Sequence, residues 1–103
     1  MIHVVAIITA KPGKLPDVMK EVRANLANVR AEKGCVHYFP AIDVPGFGGP
    51  QTEIGPDSFI MLEAWETEAD LKAHGQAPHM AVYAGRTREM LASRVIHVLK
   101  PAE

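Results

Sequence analysis

The segment that decides the fold is "DSFIMLEAWETEADLKAHGQAPHM", residues 57–80. Its first ten residues are rich in β-forming side chains with a strongly apolar middle, which is typical of a strand. Thr67 then begins "TEAD", with Asp70 three positions later, a pattern typical of a capped helix start. Gly75 suits a helix end and Pro78 suits the start of another helix. The segment therefore predicts one strand followed by two helices.

Upstream, the chain predicts another strand and a longer helix. "IHVVAIITA" (residues 2–10) is a β-branched apolar run that stops at the turn signal "KPGK", and its continuity predicts a strand covered on both faces. Apolar residues then recur at helical spacing from Leu15. Because Pro16 suits a first helical turn and Gly34 suits a stop, we expect a helix over roughly residues 15–33.

The remaining segments complete the order β-α-β-β-α-α-β. "CVHYFPAIDV" (35–44) and "SRVIHVLK" (93–100) predict strands, and the glycine- and proline-rich stretch 45–56 predicts an extended hairpin loop. This order predicts an α+β, ferredoxin-like fold with a four-stranded antiparallel sheet and helices on one face, in a single domain over residues 1–103. Since the first and last strands are apolar on both faces, we expect a homodimer packed sheet against sheet, a dimeric α+β barrel.

Composition disfavours several classes of partner. The 103 residues include 11 basic and 12 acidic side chains, which gives no field to attract nucleic acid or an anionic membrane surface. No apolar run approaches a membrane span, and the opening residues lack a secretory pattern, so a cytoplasmic location is expected. Cys35 is the one cysteine, and we expect it to be a core residue rather than a reactive thiol.

Side chains able to support chemistry gather around the predicted strand and helix joint. Alternation puts Met61, Glu63 and Trp65 on one strand face, which would lie below His74 and His79 if the helices cover it. A pocket there would suit a flat aromatic molecule, with Met61, Met80 and Tyr83 as apolar lining, although the same three residues also suit an ordinary core.

The roles of the polar groups stay open. Glu63 could orient a histidine, accept a substrate proton, or tie the strand to a helix. Helix-end effects favour a protonated His74 and a neutral His79, but at about 0.3–1 kcal/mol each they do not assign acid and base. The two histidines lack the HExxH arrangement and are separated by a helix break, so no metal centre is expected.

Four stretches, "ITAKPGKLPDV", "EKGCVHY", "IMLEAWETEADLKAH" and "APHM", resemble the antibiotic-biosynthesis monooxygenase family. These small dimeric α+β-barrel proteins include oxygenases that use no cofactor. The resemblance implies a cofactor-independent monooxygenase that oxidises a quinol-like or polyphenolic aromatic with dioxygen. For such a reaction we expect His74 to be the favoured proton acceptor, with the following residues around the substrate: Trp65, Glu63, His79, Tyr83, Met61 and Met80.

Two other functions fit the same residues. One is a dimeric protein that binds a small ligand without catalysis. The other is an isomerase or decarboxylase on a related barrel, which needs a base and a pocket but no oxygen. Folds of this shape carry several chemistries, so fold alone does not separate these functions.

Overall fold

The predicted order of elements is confirmed in a computed structural model that describes residues 1–103. In chain order the elements are β1 (Ile2–Ala10), α1 (Leu15–Arg30), β2 (Cys35–Ala41), β3 (Ser58–Trp65), α2 (Glu68–Gly75), α3 (Pro78–Thr87) and β4 (Leu91–Leu99). A 3₁₀ turn, Arg88–Met90, joins α3 to β4. None of the helices is long and apolar enough to cross a membrane.

The four strands form one antiparallel sheet in the order β2-β3-β1-β4. The predicted ferredoxin-like α+β architecture is therefore confirmed. On the helix side, Glu63 of β3 lies opposite Val4 of β1 and Tyr38 of β2. Glu63 therefore lies between two neighbouring strands, on the sheet face that the helices cover.

Alternation along β3 determines which side chains the helices cover. Phe59, Met61, Glu63 and Trp65 are all buried, as expected if this face meets the helices. Phe59, Met61 and Trp65 pack into one cluster with side chains of β1 and with Val18, Val22 and Val29 of α1. Full burial of one large apolar side chain stabilises the folded state by about 1.5–3 kcal/mol, so this face contributes much of the stability of the fold.

The end of α1 differs from the prediction. The helix stops at Arg30 rather than near residue 33, and residues 31–34 form a turn. Glu32 N–H donates to Val29 O at 3.0 Å, and Cys35 N–H donates to Glu32 O at 3.2 Å. These three-residue steps tighten the chain before β2. The left-handed residue Gly34, at φ 80°, completes this turn instead of ending the helix.

The sheet face turned away from the helices has no cover within one chain. We call its large apolar side chains, defined by the strand registers, the outer face: Val5, Ile7, Phe39, Ile60, Leu62, Val95 and Leu99. Within one chain only one face of β1 is buried, so cover on its second face stays a prediction that depends on the expected second copy. On β4 even Ile96 and Val98, which point to the helix side, are about half exposed, at 45% and 57%.

The connection between β2 and β3 contains no helix or strand, in agreement with the predicted loop 45–56. Asp43 holds its two ends together. The carboxylate accepts hydrogen bonds from Ile54 N–H and Gly55 N–H, both at 2.9 Å. Phe47 at the far end of the loop is exposed.

Candidate active site

The centre of the candidate site is a buried pair of side chains on β3. Trp65 Nε1–H donates to Glu63 Oε1 at 3.0 Å. The exposed fraction of Trp65 is 0%, so its indole N–H depends on this carboxyl for a partner. Of the three roles considered for Glu63, the structure shows neither a bond to a histidine nor a tie to a helix.

His74, in the last turn of α2, covers the Trp65 ring. The two ring centroids are 4.7 Å apart with an interplanar angle of 31°. Tyr38 of β2 meets the same imidazole edge-on, at a centroid distance of 5.5 Å. His74 is buried between these rings, which fix the plane of its imidazole.

A carboxylate outside the predicted set contacts both histidines. Glu32, in the turn after α1, places Oε2 2.8 Å from His74 Nδ1 in a hydrogen bond. The same oxygen lies 3.2 Å from His79 Nε2, within ion-pair distance. The second contact lacks hydrogen-bond geometry, and both ring nitrogens of His79 are enclosed without a hydrogen-bond partner.

Close packing of the turn against α2 brings Glu32 to the histidines. Asp70 and His74, one helical turn apart, are the buried residues of α2. Gly34 lies against Asp70 so tightly that an added Cβ would overlap the Asp70 carboxylate. Thr67 starts α2 as predicted, since its side-chain oxygen accepts the Asp70 N–H at 3.1 Å. Glycine at position 34 therefore lets the turn approach the helix.

Burial dominates the electrostatics of Glu63. It raises the pKa of the Glu63 carboxyl above its ordinary value, and the nearby Glu32 carboxylate acts in the same direction. The Trp65 hydrogen bond, the imidazole of His74 and the charge of Arg94 oppose this rise without cancelling it. A protonated Glu63 is therefore favoured more than for an exposed glutamate.

Other weak acids near the site are held neutral by burial. Burial raises the pKa of Tyr83 to about 12 and also raises the pKa of Tyr38. It raises the pKa of the Cys35 thiol too, with Glu32 and Glu63 adding to the effect and Arg30 opposing it. These groups are protonated near neutral pH, which leaves the histidines as the side chains suited to accept a proton there.

The predicted site residues fall into two groups. Trp65, Glu63, Met61 and His74 are enclosed in the core, so the expected open pocket between sheet and helices is absent around them. His79 and Tyr83 border a groove of about 210 Å³ between α1 and α3. Met80 packs on the core, and its sulfur accepts a hydrogen bond from Asn25 Nδ2 at 3.4 Å. The groove thus contains two of the predicted site residues, while the buried pair lies outside its lining.

No group of three or more His, Cys, Asp and Glu side chains is arranged to hold a metal ion. Glu32, His74 and His79 come close to each other, with Glu32 Oε2 at 2.8 Å from His74 Nδ1 and at 3.2 Å from His79 Nε2. The arrangement suits proton handling better than metal binding.

Sequence reasoning missed Glu32 and Tyr38. Both lie in "EKGCVHY", so a signal for Tyr38 existed in the alternation of β2, which places it beside Glu63. For Glu32 the sequence offered a weaker signal, a carboxylate two positions before the turn glycine Gly34. The contact between Glu32 and His74 depends on how the turn packs against α2, and the local sequence does not predict this packing.

Comparison with known proteins identifies a family. The family model described as antibiotic biosynthesis monooxygenase matches residues 1–86. "Probable quinol monooxygenase YgiN" of Escherichia coli (strain K12) is 33% identical over 103 residues, which covers 98% of each chain.

Solved structures share the fold. PA3566 from Pseudomonas aeruginosa superposes with a TM-score of 0.81 at 27% identity, covering 99% of this chain and 94% of that one. Rv0793 from Mycobacterium tuberculosis gives a TM-score of 0.80 at 21% identity, covering 99% and 95%.

Proposed function

The chain belongs to the antibiotic biosynthesis monooxygenase family, and from that premise we propose that it oxidises a quinol-like or polyphenolic aromatic with dioxygen, without a cofactor. The relative named as a probable quinol monooxygenase supports this substrate class. The observation that carries the proposal is the His74–Trp65 pair, a basic imidazole stacked 4.7 Å from an indole. It combines a proton acceptor with an aromatic surface.

The reaction asks little of the protein. Removal of one hydroxyl proton turns the quinol into an electron-rich anion, which can give an electron to dioxygen. Carbon–oxygen bond formation and O–O cleavage then place one oxygen atom on the ring and release the other as water. The quinol is oxidised to a hydroxyquinone, and dioxygen takes up four electrons. The protein has to accept the proton, hold the ring and exclude water.

Each candidate residue has a place in this reaction. His74 accepts the hydroxyl proton, and Trp65 stacks against the substrate ring or supports the imidazole that does so. The substrate approaches through the groove between α1 and α3, past His79 and Tyr83.

The enclosed core has to open for the substrate to reach His74. Trp65 and Met61 have almost no accessible surface, so side chains packed against them, Met80 among them, move aside on binding. Met80 is suited to this movement because its side chain is flexible. Glu63, close beside Trp65, completes the polar part of the site.

We also propose that two copies pack through the outer face. Its apolar side chains span all four strands, and β4 exposes apolar groups on both faces. A second copy presents the same apolar surface, and a two-fold axis would cover both at once.

A dimeric binding protein without catalysis is the second candidate. Its ligand would occupy the groove between α1 and α3, which His79 and Tyr83 border, without need of a base. Isomerase or decarboxylase chemistry would need the base but no oxygen.

Labelling with ¹⁸O₂ separates these functions. Reduced naphthoquinols and catechols are incubated with the protein in metal-free buffer, and products are analysed by mass spectrometry against autoxidation. The proposal expects one ¹⁸O atom in the hydroxylated product at a rate proportional to protein concentration. Quinone without ¹⁸O, or a rate independent of protein, would reject a monooxygenase.

A further inference from the structure

We infer that Glu32 is the positioning residue of this site, which holds His74 in the form that can accept a substrate proton; this inference rests on the proposed function. The contact joins Glu32 Oε2 and His74 Nδ1 at 2.8 Å, between the turn after α1 and the last turn of α2. The proposed base, His74, and the residue that orients it, Glu32, thus lie in different parts of the chain.

The contact determines which ring nitrogen carries the hydrogen. An ionised carboxylate only accepts hydrogen bonds, so the hydrogen of neutral His74 lies on Nδ1. The lone pair is then on Nε2, which is the nitrogen available to accept a proton. When Nε2 takes that proton, the imidazolium lies 2.8 Å from the negative charge of Glu32, which stabilises it.

Other acidic groups near His74 do not serve this role. Glu63 accepts the Trp65 N–H and has no hydrogen bond to the imidazole. Asp70 precedes His74 on the same helix and packs against Gly34. Tyr38 contributes a ring edge to His74. Glu32 is the carboxylate bonded to the proposed base.

His79 contacts the same carboxylate oxygen of Glu32. Its Nε2 lies 3.2 Å from the oxygen that contacts His74, and the exposed fraction of the Glu32 side chain is only 18%. Rotation of Glu32 away from His74 would therefore also break its contact with His79. We assign His79 a supporting role through Glu32, in addition to its place beside the groove.

The tautomer can be measured without substrate. In protein with ¹⁵N-labelled imidazoles, two-bond ¹H–¹⁵N correlation spectra at alkaline pH report which nitrogen of each neutral histidine is protonated. The His74 signals are assigned by their loss in His74→Gln. We expect a protonated Nδ1 in the wild type and a shift towards Nε2–H in Glu32→Gln, with Glu89→Gln, an exposed glutamate, unchanged.

The same variants are then assayed for quinol-dependent oxygen uptake. Glu32→Gln should lower kcat about 10²-fold with KM close to the wild-type value, because the loss falls on proton transfer rather than on binding. Glu32→Asp, which keeps the charge, should recover part of kcat. Thermal unfolding of each variant checks that the fold is kept.

Two results would overturn the inference: a wild-type His74 protonated on Nε2, or a Glu32→Gln variant with unchanged tautomer and kcat. Failure of the proposed function has a different signature. The wild type would then consume oxygen no faster than autoxidation, while the tautomer spectra would still decide whether Glu32 holds His74.

Discussion

Glu32 Oε2 and His74 Nδ1 are 2.8 Å apart although 42 positions separate the two residues in the chain. The relationship depends on three features: the early end of α1, the close approach of Gly34 to Asp70, and the stacking of His74 on Trp65. The candidate active site is therefore a product of tertiary packing between a turn, a helix and a strand. It extends the predicted set of residues by a carboxylate.

Replacement of Glu63 by glutamine should change the pH dependence of stability. Burial raises the folded-state pKa of Glu63, so its stabilising contribution is present below its ordinary pKa of about 4.5 and is lost as pH rises through the folded-state value. Glutamine keeps an acceptor for Trp65 Nε1–H. We expect the free energy of unfolding of Glu63→Gln, relative to wild type, to increase from acid to neutral pH.

Urea denaturation at a series of pH values measures this difference. Glu66 directly follows β3 and is exposed, so Glu66→Gln controls for the removal of one negative charge. A difference for Glu63→Gln that is constant across the pH range would contradict the raised pKa.

Alanine at Gly34 should destabilise the protein more than alanine at Gly13. Both glycines have positive φ, 80° and 77°, so both substitutions carry a backbone cost of about 1 kcal/mol. Only the Cβ at position 34 would overlap Asp70, and overpacking adds about 1–3 kcal/mol. Denaturation midpoints should show the difference, and Gly34→Ala combined with Asp70→Ala should recover part of the loss. Equal costs at the two glycines would refute the close contact.

A charge in the outer face should break the proposed dimer. Leu62 lies in the middle of this face, opposite Val5. Leu62→Lys would bury an unpaired charge in a sheet-to-sheet interface, at a cost of several kcal/mol. Light scattering at micromolar concentration should show a dimer for the wild type and for Ala27→Lys, an exposed α1 control, and a monomer for Leu62→Lys. A monomeric wild type would end the proposal.

The thiol of Cys35 should react slowly in the native protein. Burial raises its pKa, and the carboxylates of Glu32 and Glu63 add to this effect, so little thiolate exists near neutral pH. A maleimide or disulfide reagent should label the native chain more slowly than the urea-unfolded chain. Equal rates would indicate a reactive thiol.

Much of the fold follows from local patterns in the sequence. The two-residue period of β3 correctly grouped Glu63 and Trp65 on one face, and the structure shows that the helices cover this face. Thr67 and Pro78 correctly marked the starts of α2 and α3, since capping and proline geometry act within a few residues. Each of these signals is local.

The errors have a common physical origin. Ala31, Glu32 and Lys33 are good helix formers, so propensity extends α1 beyond Arg30, whereas the chain turns there to dock Gly34 on α2. An isolated glutamate in such a segment resembles a solvated surface residue. The site pocket was overestimated because residue type does not reveal how closely Trp65 and Met61 pack.

The measurement that tests the account most directly is oxygen consumption with a reduced naphthoquinol by the wild type, His74→Ala and His37→Ala, in metal-free buffer. His37 is an exposed histidine of β2 and serves as the matched control. The account predicts uptake well above autoxidation for the wild type and the control. For His74→Ala it predicts a fall of about 10²- to 10⁴-fold, the usual contribution of a general base. Wild-type uptake no faster than autoxidation, or uptake unchanged by His74→Ala, would contradict it.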